Sequence, residues 1–178
     1  MKIDIPSPPR TIMEVYQMLP QGTLAELING QIFMSPAPNN QHQRILKSIF
    51  KVLDDFVNKN QLGEIFIAPS DIYLDETSNA VQPDLYFISG KNEMKILESE
   101  PNCGVPDLII EILSPGNNKH DLITKRDLYE NFGVKEYWIV DPSTKETQVY
   151  HLENKSYQFA GKEIGKVYSP SLNQTFEF

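Results

Sequence analysis

The residues best suited to chemistry lie in one apolar stretch of the chain, Asp107-Leu-Ile-Ile-Glu-Ile-Leu113. Both sets of alternating positions are mainly apolar, which is typical of a central strand covered on both faces of its sheet. A period of two residues places Glu111 on the same face as Asp107 and Ile109. A buried carboxylate needs a proton, a cation or a metal ion, so Glu111 indicates either a structural ion pair or a functional site.

Two further charged residues could act together with Glu111. Lys125 interrupts the apolar stripe of a helix predicted over residues 121–132, where a lysine either extends past the apolar face to solvent or meets a buried acid. Asp84 follows Pro83 at the start of another predicted strand, a place where aspartate is also a common turn residue. Two carboxylates on neighbouring strands can bind a hard divalent cation, and a nearby lysine can orient the attacking water. The three residues together indicate metal-assisted hydrolysis of a phosphodiester.

Other polar residues are better explained by structure. We expect His42 to be an exposed histidine at the start of a helix, and Tyr129 to fill the core rather than bind a carboxylate. Asp107 is expected to cap backbone groups at the end of its strand. Ser114 and His120 lack the Gly-x-Ser-x-Gly turn of a serine hydrolase. The sequence has no Cys/His cluster typical of a zinc site and no glycine-rich loop typical of a nucleotide site.

The elements that must position these residues follow from apolar periodicity and turn chemistry. Asn29-Gly30 between two apolar arms predicts a hairpin, and Asn39 or Asn40 can cap the helix that follows. The predicted helices cover residues 8–19, where Pro8 and Pro9 are expected to start the helix, about 40–56, and 121–132. The predicted strands cover 24–28, 31–34, 64–68, 71–74, 85–89, 107–113, 136–140 and 147–152, with shorter strands around Tyr157 and Val167. The order predicts a mixed α/β (α+β) protein with β-hairpins at both ends.

Composition limits the class of protein. The 178 residues predict a single domain over 1–178, and 16 basic against 24 acidic residues give a net charge of −8. Such a surface repels nucleic acid on average, so phosphate binding needs a local basic or metal-filled patch.

Cys103 is the only cysteine, which excludes an intramolecular disulfide. No leader-like or membrane-spanning apolar run is present, so we expect a cytoplasmic location and no membrane partner. The basic residues expected beside the site are Lys119, Lys125 and Arg126, and Lys91 and Lys95 are expected nearby.

Several motifs occur in a characteristic order between residues 10 and 152. They are Glu26-Leu-Ile-Asn-Gly30 with Ser35-Pro36 and His42, Pro83-Asp84, Asp107 to Pro115, Asp121…Lys125…Tyr129, and Gly133 to Pro142. This arrangement resembles the Uma-two-type family of bacterial endonucleases, a branch of the restriction-endonuclease-like PD-(D/E)xK superfamily. The resemblance implies a mixed central β-sheet flanked by helices.

The resemblance also implies roles for particular residues. Asp84 matches the motif aspartate, Glu111 the second acidic ligand of Mg²⁺ or Mn²⁺, and the backbone carbonyl of Ile112 a further ligand. Glu26 resembles an additional acid that can reach the metal. The superfamily's lysine two residues after the acid is replaced by a leucine here, and Lys125 from the next helix matches the family's substitute.

The expected activity is therefore endonucleolytic hydrolysis of nucleic acid, with DNA as the expected substrate. Two alternatives stay open at this point: a catalytically silent module that binds nucleic acid or protein on the same fold, and a hydrolase of small phosphodiesters. The net charge of −8 favours the silent module, because nonspecific affinity for a duplex comes largely from phosphate neutralisation. An apolar edge among the C-terminal strands predicts a homodimer.

Overall fold

The computed structural model of the protein describes residues 8–92, 102–114 and 120–178. Lys95 and Lys119, expected near the site, lie outside these ranges. The helices are α1 (Ile12–Gln17), α2 (Asn40–Asn60), a π-helical segment (His120–Lys125) and α3 (Arg126–Phe132). The strands are β1 (Ala25–Ile28), β2 (Gln31–Met34), β3 (Gly63–Ile67), β4 (Ile72–Tyr73), β5 (Ala80–Val81), β6 (Leu85–Ser89), β7 (Asn102–Cys103), β8 (Leu108–Ile112), β9 (Glu136–Val140), β10 (Glu146–Glu153), β11 (Ser156–Ile164), β12 (Lys166–Ser169) and β13 (Gln174–Glu177).

Two mixed sheets organise the molecule. The larger has the strand order β11-β10-β9-β8-β6-β3, and its strands are antiparallel except for the parallel pair β8–β9. The smaller has the order β2-β1-β5-β4-β7, and β12 and β13 form a separate pair. Parallel strands require a crossover connection. The connection from β8 to β9 contains the π-helical segment and α3, which carry Lys125 and Tyr129 to the face of the sheet that holds Glu111.

The larger sheet is covered on both faces, as the apolar pattern of β8 predicts. Leu108 and Ile110 pack in one core cluster with buried residues of α2, including Ile49. Ile109 packs in a second cluster on the opposite face, together with Tyr129 of α3. All five residues of β8 are buried. The prediction that Glu111 shares a buried face with Ile109 is therefore confirmed.

Local turn and capping chemistry fixes the elements around the site. Asn29 and Gly30 both have positive φ, 50° and 76°, which is the conformation of a two-residue hairpin turn whose twist suits β1 and β2. The Asn39 side chain accepts hydrogen bonds from the backbone N–H groups of Gln41 and His42, at 3.0 and 2.9 Å, and so starts α2. The hairpin turn therefore fixes the position of β1, and the Asn39 cap fixes the start of α2.

Some predicted boundaries are wrong. The first helix begins after Thr11, whose hydroxyl caps the N–H group of Glu14, rather than at the prolines before it. The predicted α-helix over 121–132 is π-helical up to Lys125 and α-helical only from Arg126. Strands β5 and β7 were not predicted, because a two-residue strand is too short to show a period. Among the helices that the structure describes, none combines the length and the apolar character that crossing a membrane requires.

Candidate active site

A buried lysine bridges two buried carboxylates. The Nζ atom of Lys125 lies 2.9 Å from Oε2 of Glu26 and 2.9 Å from Oε1 of Glu111. Lys125 is 4%, Glu111 4% and Glu26 3% exposed. The three residues come from the π-helical segment, β8 and β1, so the array forms only when both sheets and the crossover are in place. One positive and two negative charges leave it with a formal charge of −1.

Tyr129 completes the surroundings of Glu111. Its hydroxyl donates to Oε1 of Glu111 at 2.8 Å, and its side chain is fully buried. Lys125 and Tyr129 are four residues apart, a spacing that places both side chains on one helical face. Burial raises the pKa of Tyr129 well above its ordinary value, and the nearby charges of Glu111 and Glu26 raise it further, so the hydroxyl stays a donor. The expectation that Tyr129 only fills the core was therefore wrong, because the tyrosine also binds the carboxylate.

Glu26 is fixed from its second side by the segment that precedes Asp84. The backbone N–H group of Gln82 donates to Oε1 of Glu26 at 2.9 Å. The side-chain amide of Gln82 donates to Oδ1 of Asp71 at 2.6 Å and to the carbonyl oxygen of Thr23 at 3.1 Å. Both carboxylate oxygens of Glu26 are thus engaged, one by Gln82 and the other by Lys125.

Asp84 is oriented by one backbone group and one side chain. Its Oδ2 atom accepts from the N–H group of Ile112 at 2.7 Å and lies 3.1 Å from Nε2 of His42. A carboxylate is an acceptor, so Nε2 of His42 carries the proton in this pair. The Nδ1 atom of His42 is buried and has no hydrogen-bond partner among the described residues.

The prediction that His42 is exposed was wrong, since it is only 4% exposed. Its spacing to Ile45, Leu46 and Ile49, at three, four and seven residues, places it on the buried stripe of α2. That stripe was visible in the sequence. The cap at Asn39 keeps the helix regular through its first turn, so the histidine follows the stripe inward.

Asp84 and Glu111 open onto one cavity of about 310 Å³. Leu85 pairs with Ile110 across the antiparallel strands β6 and β8, and the next pair along this register brings Asp84 beside Glu111. Directly opposed residues of such strands have Cβ atoms about 4.5–5.5 Å apart. Glu26, Lys125, His42 and Ile112 also line the cavity. The five residues predicted for catalysis or metal binding therefore line one cavity: Glu26, Asp84, Glu111, Ile112 and Lys125.

The donor set fits a hard divalent cation that keeps part of its water shell. Within the described ranges, no group of three or more His, Cys, Asp or Glu side chains is arranged to hold a metal ion. Mg²⁺ does not require such a group, because it is commonly bound by one or two carboxylates together with waters and phosphate oxygens. Asp84 lines the cavity with its Oδ1 atom free of hydrogen bonds to the described residues, and Glu111 lines it beside the Lys125 ammonium.

The other charged candidates lie elsewhere. Oδ2 of Asp107 accepts from the N–H group of Ser89 and the amide of Asn92, both at 2.8 Å, and Oδ1 pairs with Lys135. Its predicted capping role is confirmed. Burial alone would raise the pKa of Asp107, but the Lys135 ammonium and these donors outweigh it and hold the pKa below its ordinary value. Arg126, predicted to lie beside the site, pairs with its neighbour in sequence instead.

Comparisons with known proteins agree with this architecture. Among the solved structures that match the chain is a crystal structure from Anabaena variabilis, described as "a putative nuclease belonging to DUF820". It is 20% identical in sequence, with a TM-score of 0.72 over 93% of this chain and 92% of that one, which supports the restriction-endonuclease-like fold. No curated protein matches the chain. The family model for Uma2, described as "Putative restriction endonuclease", matches residues 12–173. The chain therefore belongs to the Uma2 family, a family of nucleases, and the resemblance read from its motifs is confirmed.

Proposed function

We propose that the protein is an endonuclease that uses Mg²⁺ or Mn²⁺ to hydrolyse phosphodiester bonds of DNA. The observation that carries the proposal is the buried array of Glu26, Lys125 and Glu111, which shares one cavity with Asp84. Burying this much charge is costly. A structural role would need only one matched pair, whereas three carboxylates, those of Glu26, Asp84 and Glu111, line this cavity together with one ammonium among the described residues.

In this proposal Asp84 and Glu111 hold the cation, together with the backbone carbonyl of Ile112. When bound, the cation polarises the phosphate and makes its bound water a stronger nucleophile at neutral pH. Asp84 is oriented for this task by the N–H group of Ile112 and by His42, and Glu111 by the Tyr129 hydroxyl. These donors reduce the freedom of the carboxylates before any ligand arrives.

Lys125 acts as a donor rather than as a base. Carboxylates on two sides favour its charged form, and an ammonium has protons to give and no lone pair to accept one. Its Nζ atom can therefore orient the attacking water by hydrogen bonding and offset negative charge on the phosphate oxygens as the water oxygen bonds to phosphorus and the leaving oxygen departs. Glu26 keeps the ammonium over Glu111.

The partners follow from charge and shape. With a net charge of −8, affinity for DNA has to come from local contacts around the site rather than from a surface that is basic on average. Strand β11 lies at the edge of the larger sheet and exposes Phe159 and Ile164, which are 57% and 68% exposed. Edge strands with exposed apolar side chains pair readily with another copy. We therefore propose a homodimer through β11, located in the cytoplasm.

The test combines metal binding with cleavage. Mn²⁺ binding is measured by calorimetry on the wild type, Asp84→Ala and Glu111→Ala, and circular dichroism checks that each is folded. The same proteins are then incubated with single- and double-stranded DNA and with RNA, with and without Mn²⁺. Asp107→Asn is the matched control, because Asp107 shares the buried face of Glu111 but does not line the cavity.

We expect Mn²⁺ binding and metal-dependent DNA cleavage by the wild type and by Asp107→Asn, and loss of both in the other two variants. Metal-dependent cleavage that survives in folded Asp84→Ala would contradict the assignment of Asp84. No cleavage with any metal and no measurable, salt-dependent affinity for DNA would instead favour the catalytically silent module, for which the net charge of −8 is the supporting observation.

A further inference from the structure

We propose that a second cavity, separated from the candidate active site by Gln82, binds an unpaired nucleobase that carries an exocyclic amino group. The inference rests on the proposed function, because it assigns the base to the nucleic-acid strand whose phosphate enters the first cavity. The second cavity has a volume of about 480 Å³, within the range of about 300–1,000 Å³ that is usual for small-ligand sites.

The two cavities are neighbours. Gln82 lines both of them, with its backbone N–H group on Glu26 and its side-chain amide on Asp71. The chain also passes directly from one cavity to the other at residues 23 and 24, since Thr23 lines the second and Leu24 the first. A nucleotide next to a phosphate in the first cavity is therefore positioned to place its base in the second.

The second cavity contains a carboxylate with a fixed orientation and a free oxygen. Oδ1 of Asp71 accepts from the Tyr16 hydroxyl at 3.2 Å and from the Gln82 amide at 2.6 Å. Oδ2 makes no hydrogen bond to the described residues, and Asp71 is only half-buried. A carboxylate can only accept, so the ligand must offer an N–H or O–H group at this point.

An amino group of a base meets this requirement. Cytosine and adenine each present an exocyclic NH₂ group on their pairing edge, and carboxylates recognise cytosine through this group. Thymine has a single N–H group there, between two carbonyl oxygens that a carboxylate repels. Asp71 therefore favours an amino-bearing base over thymine.

The walls of the cavity also suit a flat aromatic ligand and not a phosphate. Tyr73 is half-buried at the cavity wall, and Tyr16 meets it edge to face with ring centroids 6.3 Å apart. Aromatic side chains stack on bases of unpaired strands. Among the described residues that line the cavity none is basic, so a phosphate group would meet only the negative charge of Asp71.

The test measures base preference without cleavage. Binding of a fluorescently labelled short oligothymidylate is compared with binding of the same strand carrying one central deoxycytidine, by anisotropy in EDTA, so that no metal-dependent reaction occurs. A hydrogen bond to a charged group predicts that the cytosine strand binds about tenfold more tightly. Asp71→Ala is expected to reduce this ratio to about one. The matched control is Glu76→Ala, which removes an exposed carboxylate from the connection after β4 and does not touch the cavity.

A second variant covers the case in which Asp71→Ala fails to fold. Tyr73→Ala removes the stacking surface and is expected to weaken binding of both strands by a similar factor, with the cytosine preference retained. Equal affinity of the wild type for the two strands would overturn the inference, and so would a preference that survives in folded Asp71→Ala.

The inference and the proposed function fail in different ways. Metal-dependent cleavage with no base preference would leave the proposed function standing and remove the base site. A cytosine preference that depends on Asp71, in a protein that cleaves no nucleic acid with any metal, would support the base site and contradict the proposed endonuclease activity.

Discussion

Replacing Lys125 with methionine tests whether the site is held by a desolvated ion array. Methionine keeps the length and the apolar stem of the side chain but removes the ammonium that lies 2.9 Å from each of Glu26 and Glu111. Both carboxylates are at least 96% buried, so water can replace the lost ammonium only from the cavity that they line. The variant is therefore left with two close negative charges in the protein interior.

The expected loss is large for a single substitution. Removing one partner of a buried ion pair costs about 3–5 kcal/mol, out of a total free energy of unfolding of about 5–15 kcal/mol for a typical domain. The Tyr129 hydroxyl on Glu111 and the Gln82 N–H group on Glu26 are already present in the wild type, so they add no new stabilisation when the ammonium is removed. The double variant Lys125→Met/Glu111→Gln removes one of the two stranded charges. It is therefore expected to be more stable than Lys125→Met alone.

Urea unfolding followed by circular dichroism measures these differences. The matched control is Lys135→Met, because Lys135 also pairs with a buried carboxylate, Asp107, but its own side chain is 62% exposed. Such a pair contributes about 0–1 kcal/mol, and Asp107 keeps its donors Ser89 and Asn92. Mn²⁺ at about 100 times its dissociation constant should restore about 2.7 kcal/mol to Lys125→Met, because the cation can then neutralise the stranded carboxylates.

The two lysine variants are compared by their loss of unfolding free energy. If Lys125→Met loses no more stability than Lys135→Met, the Lys125 ammonium is not the desolvated partner of the two glutamates. A double variant that is less stable than Lys125→Met alone would show that Glu111 is stabilised by something other than the lysine.

Three further predictions concern positioning, pH and assembly. His42→Ala removes the Nε2 donor from Asp84 and is expected to weaken Mn²⁺ binding about tenfold in calorimetry, with an unchanged circular dichroism spectrum; unchanged affinity would deny His42 a positioning role. Asp107 has a pKa below its ordinary value in the folded protein, so its ionised carboxylate stabilises the folded state. This contribution is fully present above about pH 4 and is lost as the pH falls through the folded-state pKa. Asp107→Asn should therefore be less stable than the wild type in urea at neutral pH and should match it at the acid end, and a deficit that does not change with pH would contradict this. Replacing Phe159 and Ile164 with lysine should convert the proposed dimer to a monomer in sedimentation velocity, whereas a wild type that is already monomeric would exclude the dimer.

The parts of the site that the sequence predicted are those set by a local period. Alternation along β8 placed Glu111 on the face of Ile109, and a spacing of four placed Lys125 and Tyr129 on one helical face. The buried stripe of α2 follows the same logic, and His42 was misjudged only because its polar type was given more weight than its position on that stripe.

The remaining parts depend on contacts between distant segments. All four residues of β1 are buried, so no alternation marks the side chain of Glu26 as special. Its partners Gln82 and Lys125 come from other elements, and no local pattern relates these three positions. The π-helical conformation of the segment that ends at Lys125 could not be predicted from the sequence either, because its apolar spacing also fits an ordinary α-helix.

The two carboxylates at the ends of β8 have a consequence for how the chain reaches its fold. Asp107 and Glu111 lie on one face of the strand, each held by its own donors, while the opposite face is packed against α2. A slip of one residue in the pairing of β8 would exchange its faces and drive both charges into the apolar layer. The strand therefore carries a penalty against misalignment at each end. Glu111 therefore helps to specify the register of β8, in addition to any part that it takes in a reaction.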